Sequence, residues 1–233
     1  MPMTVSKIVD KQIKEWDRIS DIVESENKKE TIYPLITISR EFGAMGAALA
    51  ETLGETTGFK VWDKQLLGAI ADDLGSDQKL LETLDERRRQ DVEDTVSAFI
   101  DEIHTNVNYI RSLIRVIKTA EEHGRGIIVG RGGNYIIENR DMLSVRLVRP
   151  FESRVEHIAG KHEMKKSEAR ELVKKKDAER EEFISRFFYK DVNKASDYDL
   201  ILNTDTFTLE QTKALVLDAY QMKTGLTLPP DIT

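Results

Sequence analysis

The stretch Leu35-Ile36-Thr37-Ile38-Ser39-Arg40-Glu41-Phe42-Gly43-Ala44-Met45-Gly46-Ala47-Ala48-Leu49-Ala50 constrains the fold more than any other. An apolar, β-favouring run bounded by Pro34 enters a short turn with two glycines. The turn leads straight into an alanine- and leucine-rich helix ending near Gly54 or Gly58. Strand, turn and helix in that order suit an anion. Free backbone N–H groups gather at the helix N-terminus, where the aligned peptide dipoles also leave partial positive charge.

The turn resembles a P-loop, with gaps. A full P-loop reads G-x-x-x-x-G-K-[ST], its lysine reaching the β/γ-phosphates and its hydroxyl holding Mg²⁺. Here Arg40 stands at the first glycine, Met45 at the second, Gly46 at the lysine and Ala47 at the hydroxyl, and no lysine occurs from Leu35 to Phe59. The glycine pair alone is equally compatible with a tight turn that binds nothing.

At 233 residues the chain suffices for one sizeable α/β domain with an inserted helical part. A formal charge of -7 argues against a general nucleic-acid-binding surface. The absence of cysteine excludes disulfides, thiolate zinc sites and cysteine nucleophiles. His104, His123, His157 and His162 have no metal-like spacing, and no Gly-x-Ser-x-Gly elbow occurs. No run approaches the length that spans a bilayer and no signal-peptide core opens the chain, so the cytoplasm is the expected compartment.

Val5, Val9, Ile13, Trp16, Ile19 and Val23 recur every three or four positions and predict an amphipathic helix, followed by a polar run from Glu24 to Thr31. That helix either packs on its own domain or docks another subunit. Phe59-Lys60-Val61-Trp62 reads as a second strand, with Asp63 as the N-cap of the helix that follows or, at a strand end, as a substrate contact. From Ser76 to His123 the pattern is helical, with a break near Asn106 or Asn108. Its stripe of Val96, Phe99, Ile103, Val107, Ile110, Ile114 and Ile117 suits a core, an oligomer seam or a flap over a substrate.

Gly126-Ile127-Ile128-Val129 is a buried strand that leaves through Gly130-Arg131-Gly132-Gly133-Asn134. A guanidinium at a strand's end, between glycines that let a ligand approach the backbone, suits bidentate contact with a phosphate. Leu143 to Val148 is a fourth strand. The charged segment from Glu152 to Lys190 reads as a helical hairpin, in which Asp177-x-x-Arg180 and Arg186 can bring guanidinium groups over a phosphate. The last strand is Leu200-Ile201-Leu202, then the turn Asn203-Thr204-Asp205, a helix from Leu209 to about Met222 and a tail from Gly225 to Thr233.

From Leu35 to Tyr220 the order of these segments resembles the cytidylate kinase-like branch of the P-loop nucleoside monophosphate kinases. The resemblance rests on Ile38-Ser39-Arg40-Glu41-Phe42-Gly43, Trp62-Asp63-Lys64, Gly130-Arg131-Gly132, Asp177-x-x-Arg180 and Tyr198-Asp199-Leu200-Ile201-Leu202-Asn203-Thr204. It implies an α/β fold of the P-loop NTPase type, with a five-stranded parallel sheet between helices. The implied domain covers residues 32–224, with a helical acceptor region at about 76–123 and a lid at about 151–190, between an N-terminal helix (1–31) and a tail (225–233). The implied activity moves the γ-phosphoryl of ATP to a nucleoside monophosphate, CMP or dCMP, with Mg²⁺.

The resemblance also assigns roles. Ser39, Arg40, Gly43, Ala44, Met45, Gly46 and Ala47 would form the donor-phosphate loop. Gly130 and Arg131 would hold the acceptor's phosphate with Asp63 nearby, and Arg180 and Arg186 would close from the lid. Members of the branch carry Gly-Gly-Arg where this chain has Met45-Gly46-Ala47. Arg40 is then the cation left in the turn, and Ser39 and Asp63 are the stand-ins for a magnesium ligand. Two other readings stand beside the kinase: a nucleotide-binding regulator that lost turnover, and an assembly protein whose turns bind no phosphate.

Overall fold

The computed structural model describes residues 4–25, 31–73, 75–103, 108–137 and 140–227. Of the features expected from the sequence, the greater part of the polar run before the first strand, the helix break near Asn106 with His104 and Val107, and the end of the tail lie outside them.

The elements in chain order are α1 (Val5–Ser25), β1 (Ile36–Arg40), α2 (Gly46–Thr57), β2 (Lys60–Trp62), α3 (Lys64–Asp72), α4 (Ser76–Leu81) and α5 (Glu86–Ile103). They continue with α6 (Asn108–His123), β3 (Gly126–Val129), α7 (Gly133–Ile136), β4 (Leu143–Val148), α8 (Phe151–Lys161), α9 (Lys166–Phe188), β5 (Leu200–Asn203) and α10 (Leu209–Thr224). The five strands form one parallel sheet in the order β2-β3-β1-β4-β5, flanked by helices as in P-loop NTPases. Because β1 lies between β3 and β4, its exit is flanked by both their exits: Ile38 is in register with Val129 and Val145, and Arg40 with Leu147.

The chain divides into two compact units. One comprises residues 1–33 and 62–125, the other 34–61 and 126–233.

The first unit is helical. Val9 and Trp16 of α1 are buried, and Trp16 stacks on His123 with ring centroids 3.8 Å apart and on Trp62 at 5.9 Å. The regular spacing of apolar residues in α1 thus marks a face covered within its own unit. Val96, Ile110, Ile114 and Ile117 of the predicted stripe are core, whereas Phe99 is half-buried. Arg115 lies buried on α6, where it pairs with Asp77 of α4 and, at 2.7 Å, with Glu93 of α5. The buried charge is tolerated because two carboxylates compensate it.

The second unit holds the sheet. Leu35, Ile36, Ile38, Ile127, Ile128, Val145 and Leu147 are buried, as strands covered on both faces require. Tyr220 of α10 is fully buried and donates to the carbonyl of Pro34 at 2.8 Å. The charged hairpin is real: α8 and α9 pack through Val155, Ile158, Ala159, Ala169 and Val173, a small apolar seam inside an otherwise ionic surface.

Candidate functional site

The turn from Glu41 to Met45 joins β1 to α2. Met45 is the N-cap in the left-handed conformation and gives α2 no side-chain cap, so the first N–H groups of the helix have no side-chain acceptor. Gly43 has φ +89°, which favours a glycine, and a Cβ there would lie a tight 3.1 Å from Arg154 Cβ.

Two residues pin the turn from outside. Arg154 of α8, almost fully buried, donates from Nε to the carbonyl of Arg149 at 2.9 Å and from Nη1 to the carbonyl of Phe42 at 3.2 Å. Asp177 of α9 pairs with the same guanidinium and accepts the N–H of Phe42 at 2.7 Å. Glu41 accepts the N–H of Arg149 at 2.8 Å and faces Arg154 Nε at 3.4 Å. The sequence marked Asp177 as half of a motif; Arg154 was one cation among many in a mixed-charge helix, and no spacing rule singles it out.

Arg40 explains the missing lysine. Its stem lies over Gly46, where an added Cβ would sit 2.7 Å from Arg40 Cγ, and its guanidinium reaches Gly130 at the exit of β3. The volume that a P-loop lysine needs at position 46 already belongs to Arg40. One arginine thus joins the two glycine-rich turns.

At the β3 exit Gly130, Arg131 and Gly132 all have positive φ, at 76°, 55° and 72°. Gly132 is required because its Cα faces the ring of Phe188 with no room for a side chain. The Arg131 guanidinium lies 4.9 Å from the centroid of Phe183. Asn134, expected as part of a turn, instead lies in the short helix α7.

Arg180 of α9 donates to the carbonyl of Arg40 at 2.9 Å and stacks on Phe42 at 5.3 Å. Burial pushes its pKa below the ordinary arginine value; Asp177 opposes this, while the charges of Arg146 and Arg154 add to it. Arg186 stays exposed over Phe187 and does not share this position.

Arg146 was not foreseen. It lies 5% exposed on β4 and donates to Ser39 Oγ at 2.9 Å and to Asn193 Oδ1 at 2.8 Å, with Tyr198 beneath it at 5.6 Å. An arginine inside an otherwise buried strand was the signal available in the sequence. It also bears on Ser39, whose oxygen accepts from this guanidinium, a fixed positive charge that disfavours a magnesium ion beside it.

A cavity of about 300 Å³ opens on this turn, lined by Arg40 to Gly43, by Met45 to Ala48, by His157, Ile158, Lys161 and His162 of α8, and by Arg180. A second, of about 200 Å³, lies between Met45, Leu49, Arg149, Thr204 and Phe207. Both share Met45. An anion in the larger cavity would meet backbone donors and several cations, with Glu41 held by its own arginine.

The family model for the cytidylate kinase-like family matches residues 35–206, from β1 to just past β5. The chain belongs to the cytidylate kinase-like family. It is also 25% identical over 216 residues to a uronate isomerase of Corynebacterium glutamicum; the aligned part is 88% of this chain and 41% of that protein, so the chain spans about two fifths of the relative's length. A solved structure of an uncharacterized protein from Eubacterium ventriosum superposes with a TM-score of 0.61 at 17% identity, over 81% of this chain and 98% of that one, a likeness of fold.

The family usually goes with a nucleotide and a metal, and the two fit this chain differently. The turn and its cavity suit a polyphosphate. For magnesium, Ala47 has no oxygen, Ser39 is held by Arg146, and both oxygens of Asp177 are engaged at the turn. Asp63 is an exposed N-cap of α3 in the first unit, accepting the N–H of Leu66 at 2.7 Å. Among the described residues no three acidic or imidazole groups gather around a common point. The side chains present do not fit an ion held by the protein. No helix among them is long and apolar enough to cross a membrane.

Proposed function

We propose that the protein transfers the γ-phosphoryl of ATP to a nucleoside monophosphate, with CMP or dCMP as acceptor. The observation that carries this is the junction made by Arg40, which links an uncapped helix N-terminus to a second glycine-arginine turn one strand away. In-line phosphoryl transfer needs reacting oxygens held in line and charge stabilised as the terminal bond of ATP breaks and the bond to the acceptor's phosphate oxygen forms. The backbone from Gly43 to Ala47 takes the donor phosphates. Arg131 with Gly130 takes the acceptor's phosphate, and Arg40 and Arg180 face the group in transit. Arg186 comes in when the hairpin moves. The smaller cavity, between Arg149 and Phe207, accommodates the donor's base. No step is assigned to a metal held by side chains.

The reading predicts ADP release that depends on CMP or dCMP. Release by ATP alone, or none with any acceptor, would refute it. A second reading, a nucleotide-binding regulator on the same scaffold, is favoured by Met45 and Ala47, since removing one oriented donor at a transition-state oxyanion costs about a hundred- to a thousand-fold in rate. The two readings share nucleotide binding and part at turnover. Both go with a cytoplasmic setting. As to partners, α1 directs Val9, Gln12 and Trp16 inward, which supports an internal brace over a docking or oligomer surface.

A further inference from the structure

The larger cavity has a cationic wall that the turn itself does not supply. Lys161 closes α8 and, with His157 and His162, faces the segment from Gly43 to Ala48. Elsewhere on the hairpin four basic side chains are neutralised, Lys166 by Glu156, Arg170 by Glu152, Lys174 by Glu171 and Lys176 by Glu179, and Lys165, Lys175 and Arg186, like Lys161 without an ion pair among the described residues, do not line the cavity. Among the described residues Lys161 has no carboxylate within ion-pair distance. A lysine in the last turn of a helix is often explained by the helix dipole alone. That does not account for its place in the wall of this cavity, nor for two imidazoles beside it. Burial, then the charges of Arg149, Lys161 and His162, lower the pKa of His157, and the one carboxylate among the residues lining the cavity, Glu41, already faces Arg154.

We infer that α8 supplies the donor-side cation missing from the phosphate turn, with Lys161 contacting the terminal phosphates of a polyphosphate lying against Gly43 to Ala48 and His157 and His162 beside it. This rests on the nucleotide-binding reading and deepens it. Arg40 extends away from that side, its guanidinium lying beside Gly130 at the exit of β3, where the proposed function has it face the group in transit. A monodentate ammonium is what the P-loop lysine would have provided. The chain therefore keeps the chemistry and moves its source from the turn to the neighbouring helix.

The test is calorimetric titration of the full chain with sodium tripolyphosphate and, separately, with ATP. Lys161→Ala is expected to weaken both by roughly ten- to a hundred-fold, the range of a hydrogen bond to a charged group. Lys161→Arg, which keeps the charge, retains binding, and Lys174→Ala, which removes an exposed lysine of α9 away from the cavity, leaves it unchanged. Binding by the wild type that Lys161→Ala does not alter overturns the inference and leaves the nucleotide reading standing. Failure of the wild type to bind either ligand overturns that reading and the inference with it.

Discussion

The stem of Arg40 occupies the space that a side chain at Gly46 would need: a Cβ built on Gly46 lies 2.7 Å from Arg40 Cγ. The two positions are therefore alternatives, and a cation enters the turn from one or the other. Gly46→Lys alone is expected to destabilise the fold and Arg40→Ala alone to abolish transfer. The double variant Arg40→Ala/Gly46→Lys, in which the lysine gains its volume, recovers part of both. Melting temperature and ADP release of the three variants measure the coupling, which for residues in contact runs to about 0.5–3 kcal/mol. Additive effects would show that the two positions do not compete.

Asp177 holds the turn through the N–H of Phe42 and the guanidinium of Arg154. Asp177→Asn keeps one acceptor and removes the ion pair, while Glu41 remains 3.4 Å from Arg154. The expected loss is about 2 kcal/mol, less than that for breaking a fully buried pair. Denaturant midpoints with an unchanged slope would record it. Nucleotide affinity should fall as well, because the Phe42 peptide is no longer fixed.

His123 is packed face to face on Trp16 and lies 2.8 Å from Thr83 Oγ1 through Nε2. Burial, then the charge of Arg88, lowers its pKa to about 4 from 6.5. Above pH 6.5 both the folded and unfolded forms are neutral and the contribution to stability is complete. As the pH falls from 6.5 toward 4 the unfolded chain binds a proton that the folded chain refuses, so stability is lost across that window, about 3 kcal/mol in all. His123→Gln should flatten this part of the profile. The burial-driven rise of the Glu122 pKa acts in the opposite sense, so the comparison of the two proteins at pH 7 and pH 4.5 is the measurement that isolates His123.

The strands and helices were legible because their periodicities differ: β1, β3 and β4 read as apolar runs, and α1, α8 and α9 as helical patterns. The two glycine turns were read from the residues themselves and the five-stranded parallel sheet followed from the family pattern, whereas the strand order β2-β3-β1-β4-β5 came only with the structure. The Arg154–Asp177 clamp and the Arg146–Ser39 contact were not legible, since they join positions 23 and 107 residues apart whose meaning depends on which helix covers which strand. Gly46 looked like a defect in a P-loop. It is the complement of Arg40, a relation that no linear motif records. Lys161 was hidden for the opposite reason: a lysine among many lysines is conspicuous only when the fold is seen to place it, and no other lysine of the hairpin, in the wall of the cavity.

The central claim is acceptor-dependent phosphoryl transfer. It is tested most directly by ADP release from Mg²⁺-ATP in the presence of CMP, dCMP, UMP, AMP or GMP in turn, with Arg131→Ala beside the wild type. The account predicts release with CMP or dCMP that falls in the variant by about a hundred- to a thousand-fold, the loss of one oriented donor. No acceptor-dependent release across the panel, or release that Arg131→Ala leaves untouched, would contradict it.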